Sequence, residues 1–151
     1  MMTRAVVLSV ATLLFAGCST ADATPRASNP DFTCSFSHPS KSVNSLKRLP
    51  SPLRKYIKAK IGPMADRGQF FNAGDVVQRP APFNRFIRGG TIGERWFLWY
   101  EHGGFAYWKD IVLFGSDPSG TPHVIAEAHA SGGDLCAQTD GLLDNPSKTP
   151  P

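Results

Sequence analysis

The strongest constraint on the fold is a set of four β-like runs in the second half of the chain. They cover Phe83 to Arg88, Glu94 to Glu101, Phe105 to Phe114 and His123 to Ala130. Gly89-Gly90, Gly103-Gly104 and the Ser116 to Pro122 stretch separate them, and such residues turn a chain sharply. Short connections between consecutive strands permit antiparallel neighbours, so the spacing predicts a four-stranded antiparallel meander. With 14 glycines and 13 prolines, the chain has many turns and few long elements.

One helix is signalled at both ends. Ser51 is a residue of N-cap type, Pro52 suits the first helical position, and Gly62-Pro63 stops the helix after Ile61. Leu53, Tyr56, Ile57 and Ile61 fall on one stripe that can face a sheet. The expected architecture is therefore α+β, with this basic amphipathic helix packed on the meander. Gly62 to Pro82 is expected as a packed loop anchored by Phe70, Phe71, Val76 and Val77, with room for a short helix after Asn72.

The two central runs are apolar on both faces. Trp96, Leu98 and Tyr100 alternate with Phe97 and Trp99, and Phe105, Tyr107 and Trp108 follow across the turn. One face fits beneath the helix. The other is covered by the Gly62 to Pro82 loop, or it is a docking platform using Trp96, Trp99, Tyr100 and Trp108.

Charge is polarised along the chain, beyond its net value of +4. Lys41, Lys47, Arg48, Arg54, Lys55, Lys58 and Lys60 occur without one acidic residue among them, whereas the chain from Gly68 onward is net acidic. A basic helix face is either a solvated surface or a surface for anions such as lipid phosphates. Arg54 and Lys55 favour the second, because they sit in the first turn, where the helix dipole disfavours positive charge.

At the N-terminus, Arg4 precedes an uncharged run from Ala5 to Phe15, the pattern of a secretory signal peptide. Eleven residues rise only about 16 Å as a helix, too short to span a bilayer. Leu14-Phe15-Ala16-Gly17-Cys18 resembles the lipobox of bacterial lipoproteins, with Phe15 where Leu is usual. That resemblance implies cleavage before Cys18, lipidation of Cys18 and, with Ser19 next to it, sorting to the periplasmic side of the outer membrane. The competing expectation is an ordinary cut after Ala23, which discards Cys18. On the lipoprotein reading the chain divides into a leader (1–17), a polar tether (18–30), one domain (31–144) and a disordered tail (145–151). Cys34 and Cys136 then remain as an even pair, and in an oxidising compartment they are expected to form one disulfide. A free thiol or a metal ligand is the alternative for each.

The segment Pro63 to Gly68, taken with Arg95 to Gly104, resembles a pattern in small exported proteins of proteobacteria to which no activity is assigned. No site residue follows from it.

Catalytic and metal motifs are sparse. There is no GxSxG elbow, and Glu101, His102, His123 and His129 lack an HExxH spacing, so neither a metal nor a cofactor is expected. His102-Gly103-Gly104 is expected as a hairpin turn. Asp110 and Glu127 are expected to pair with Lys109, Arg95 or Arg85 across the sheet. Three classes remain. The first is a lipid-anchored envelope accessory protein that binds an anionic lipid, lipopolysaccharide, a glycan or another envelope protein, by Arg54, Lys55 and Lys58 or by the aromatic face. The second is an envelope enzyme drawing on Glu101, His102, Asp110 or His129. The third is an inhibitor or immunity-type protein. Nucleic acid is not an expected partner.

Overall fold

The computed structural model describes residues 34–77, 80–130 and 132–146. The leader, Cys18, the tether and most of the tail lie outside these residues.

The sheet has six strands rather than the four expected. β1 (Ser40–Val43) and β2 (Met64–Ala65) precede the meander of β3 (Asn84–Ile92), β4 (Arg95–His102), β5 (Trp108–Ser116) and β6 (Pro122–Ala130). The order is β1-β3-β4-β5-β6, all antiparallel, while β2 pairs in parallel with the start of β3. Both added strands were hidden by their length, four residues in the polar β1 and two in β2, which carry no readable alternation.

The first turn lies elsewhere than expected. Gly89 and Gly90 are inside β3, and the chain reverses at Gly93, which has φ +56°. These two glycines serve a close approach instead. A Cβ on Gly90 would lie 2.0 Å from the Lys41 carbonyl oxygen, so only glycine lets β1 pair there.

Helix α1 (Ser51–Lys60) is the helix that the sequence signals, except that its N-cap position is Pro50 and no side chain caps it. Its stop is as expected, with the Gly62 N–H bonded to the Ile57 carbonyl. Leu53 and Ile57 pack with Phe86, Leu98, Val112 and Phe114 on one sheet face.

The opposite face corrects the single-helix expectation. A second helix, α2 (Leu135–Asp144), covers it. Leu135, Cys136 and Leu142 pack against Ile87, Phe97, Trp99, Ile111 and Leu113. The Asp134 carboxylate caps α2 by accepting from the Cys136 N–H at 2.8 Å. The disulfide Cys34–Cys136 ties the N-terminal segment to α2, and Phe36 then lies edge-on to Phe97 with ring centroids 4.9 Å apart. The sheet is thus enclosed from both sides by the helices, and the 62–82 loop adds only Phe71, the one expected anchor that is buried, over Arg85. Among its described residues that loop contains no helix, and Val76 and Val77, expected as anchors, are 69 % and 60 % exposed. Among the described residues, no helix is long and apolar enough to cross a membrane.

Candidate functional site

The polar side chains concentrate at one end of the sheet, where β3 starts and β4 turns into β5. Strand alternation sends neighbours to opposite faces there. Glu101 lies on the α2 face and His102 on the α1 face, so these adjacent residues belong to different clusters.

On the α2 face, Glu101 is buried in an ion pair. Arg85 Nε donates to Glu101 Oε2 at 2.6 Å, and the Tyr107 hydroxyl donates to Oε1 at 2.5 Å. The Arg85 guanidinium also stacks on the Phe71 ring, 4.2 Å from its centroid. Burial and the Glu101 carboxylate together push the Tyr107 phenol well above its ordinary pKa, so it stays a donor. Both carboxylate oxygens are committed, which makes Glu101 structural.

On the α1 face, the side chains surround Asp110. This carboxylate is buried, yet it receives His129 Nδ1 at 2.5 Å on one oxygen and Trp108 Nε1 at 3.0 Å on the other. Tyr100 lies across from it on β4, and burial, with the charges of Asp110 and Glu127 behind it, pushes that phenol far up. His102 stacks flat on Trp108, with ring centroids 4.3 Å apart and planes 13° apart. The Asn84 amide fixes its tautomer. Asn84 Nδ2 donates to the carbonyls of Ile61 (3.3 Å) and Pro63 (3.5 Å), so Asn84 Oδ1 accepts the proton of His102 Nδ1 at 2.8 Å. In the neutral ring the lone pair then lies on Nε2. His129 is held in the same sense by Asp110.

These groups line a depression of about 300 Å³, together with Val112, Glu127 and Ala128. That volume is at the lower end for small-ligand sites. A second, more apolar hollow formed by Phe83, Gly104 and Phe105 adjoins it and shares His102 and Trp108. The turn between them is held by Gly103, whose absent side chain leaves room for the Asn72 carbonyl oxygen, 2.0 Å from where a Cβ would sit.

The expected binding residues are dispersed. Trp99 is fully buried, with Nε1 bonded to Thr139 Oγ1 at 2.9 Å, so it belongs to the core and not to a platform. Trp96 is half-buried against the α1 cluster. Tyr100 and Trp108 do reach the depression, while Arg54, Lys55 and Lys58 are exposed on α1. Of the acid–base candidates, His102, Asp110 and His129 converge and Glu101 does not. Asp110 pairs with His129 rather than with Lys109, Arg95 or Arg85, and Arg95 instead reaches the Leu143 carbonyl at 3.4 Å. Asn84 was missed, although the β3–β4 pairing sets it directly opposite His102. Trp108 and Asp110, two apart on one strand and so on one face, carried a readable signal.

Cys34, Asp134 and Cys136 have the spacing of a metal-ligand group. Their sulfurs are bonded to each other and the Asp134 carboxylate caps α2, so thiolate ligation is closed to them.

No protein-family model matches the chain, and no curated protein or solved structure is significantly similar to it. Fold and site together define a disulfide-closed α+β domain with a histidine and aromatic pocket at one end of an antiparallel sheet.

Proposed function

We propose that this chain is a lipid-anchored accessory protein of the cell envelope, exported and held through Cys18 on the periplasmic side of the outer membrane, which binds an envelope glycan in the pocket around Trp108. The observation that carries the binding role is the arrangement about Asp110. Two ring N–H donors, from Trp108 and His129, fix that carboxylate, and with His102 stacked on Trp108 and Tyr100 lining the same depression the rings around it are preorganised. Aromatic rings with polar groups at their edges suit a sugar ring, which offers C–H faces and hydroxyls together. The leader supports the anchor and the address. Titration calorimetry with soluble peptidoglycan and lipopolysaccharide-core fragments tests the pocket: binding is expected, and H129A with W108A should abolish it. Heat equal to buffer dilution for every fragment overturns the glycan reading.

A second reading has one specific observation in its favour, the Asp110–His129 pair beside the open Nε2 of His102. Such an arrangement can take a proton from water or from a ligand hydroxyl. Incubating the same fragments with the protein decides it. Cleavage that disappears in H129A while binding persists makes the protein an enzyme, and intact fragments leave it a binding protein.

A further inference from the structure

The end of the sheet that holds the pocket also presents the exposed apolar residues. Phe105, at the tip of the β4–β5 turn, is 100 % exposed, and Tyr107 beside it is 51 % exposed. Phe83 is partly exposed next to them. Val76 and Val77 stand on the loop that begins at Asn72, which Gly103 brings against this turn. An isolated exposed apolar side chain needs no explanation, but a cluster of them on adjoining loops does.

Two independent features say what faces this cluster. The first is the course of the chain. Cys34 is joined to Cys136, the Ser37 N–H to Asp140, and His38 to Asp144, so residues 34–38 run alongside α2 in the same direction. Helix α2 follows β6, whose last residues pair with Lys109 and Asp110 near the β4–β5 turn, and it runs back until Arg95 reaches Leu143. Cys34 therefore lies toward the apolar end, and the polypeptide enters the domain from that side. The second is charge. Helix α1 runs the same way as β4, from Leu49 beside Gly89 to Ile61 beside Asn84, so its last turn, with exposed Lys58 and Lys60, points to the same end.

We propose that this end of the molecule is a membrane-contact surface. Phe105, Tyr107, Val76 and Val77 enter the boundary between headgroups and acyl chains of an anionic phospholipid bilayer, and Lys58 and Lys60 lie against its phosphates. The inference rests on the reading of Cys18 as the anchored residue. Sixteen residue steps from Cys18 to Cys34 span at most about 55 Å, so the body stays near the bilayer with this end leading.

The test attaches the N-terminus to a bilayer without using Cys18. The chain from Ser19, with an N-terminal hexahistidine tag, is held on phosphatidylethanolamine–phosphatidylglycerol vesicles by nickel-chelating lipid, and some of the acyl chains are brominated. Fluorescence of F105W is compared with that of E94W, at the opposite end of the sheet, each after subtraction of the parent signal. The F105W indole is expected to shift to the blue and to be quenched several-fold more than that of E94W. K58E/K60E should reduce this quenching on anionic vesicles. Equal quenching at the two positions overturns the membrane-contact surface, whatever Cys18 carries. The mass of the mature protein decides lipidation separately, so either result can fail without the other.

Discussion

The Trp99 indole N–H is buried and has Thr139 Oγ1 as its partner, and the Thr139 hydroxyl donates onward to the Leu135 carbonyl at 2.6 Å. Thr139→Val keeps the shape and leaves the indole N–H without that acceptor. We expect a loss of about 1–3 kcal/mol in urea unfolding, with little change in the slope. A loss below a few tenths would show that this bond contributes nothing net. Arg85 and Glu101 give a sharper contrast. Arg85→Met strands a buried carboxylate and should cost about 3–5 kcal/mol, whereas R85M/E101L removes both charges and should recover much of that loss. Asp66 carries a pH dependence. Burial opposes its charge, but the Ser45 hydroxyl, the N–H groups of Leu46 and Arg67 and the charge of Lys47 outweigh it, holding the carboxyl below its ordinary value of 3.8. The stabilisation is complete above that value and disappears as pH falls through the lower, folded-state pKa. Asp66→Asn should therefore weaken the protein at neutral pH and flatten its acid-unfolding limb below about pH 4. An acid limb as steep as the parent's would exclude Asp66 as a source of it. Little of this was legible beforehand. The Arg85–Glu101, Ser45–Asp66 and Trp99–Thr139 bonds join residues 16, 21 and 40 positions apart, and only the fold decides which acceptor meets which donor.

At the scale of elements, legibility followed length and pattern. The β4 and β5 strands were readable because turn residues bound two short runs rich in aromatic and β-branched or other apolar side chains, and α1 was readable because Pro52 and Gly62 mark its ends. Helix α2 was missed even though Asp134 is a good N-cap and Leu135, Thr139 and Leu142 fall at i, i+4 and i+7. Its ten residues include Gly141 and Thr139, both poor helix formers, so tertiary packing stabilises it more than propensity does. The loss of its cap should accordingly be felt. Asp134→Ala leaves the Cys136 and Ala137 N–H groups without their acceptor and is expected to cost about 1 kcal/mol, read as a lower urea midpoint. The same omission explains why Trp99, now seen in the core, stood among the platform candidates. Without α2 only the 62–82 loop was left to cover the second face, and a docking platform stayed open as the alternative. The pocket was half legible: His102, Asp110 and His129 stood out as chemistry, but their convergence required the β4–β5–β6 register.

Over the whole molecule, the disulfide joins two pieces that cover one face of the sheet. Residues 34–38 and α2 lie side by side, and each makes little contact with the rest of the sheet beyond that face. Phe36 touches Phe97 and Trp99, and α2 covers Ile111 and Leu113. The bond between Cys34 and Cys136 spans 102 positions of sequence, so in the unfolded chain it restricts nearly the whole domain. A loop of that length corresponds to about 4–5 kcal/mol in the chain-entropy description, a large part of what a domain of this size has in total. C34A/C136A is therefore expected to lower the unfolding free energy by about that amount. The effect should also have a direction. With the link gone, residues 34–38 become a short end segment held chiefly by Phe36 and the bonds to Asp140 and Asp144, and α2 becomes a C-terminal helix held by one apolar face. Both should open before the α1 face does. Hydrogen exchange on the variant checks this: the Ser37 amide and those of α2 should lose protection first, while those of α1 and of β4 around Leu98 keep theirs. Uniform loss across both faces, at an unchanged midpoint relative to the reduced parent, would mean that the sheet unfolds as one unit and that the disulfide acts only on the unfolded chain.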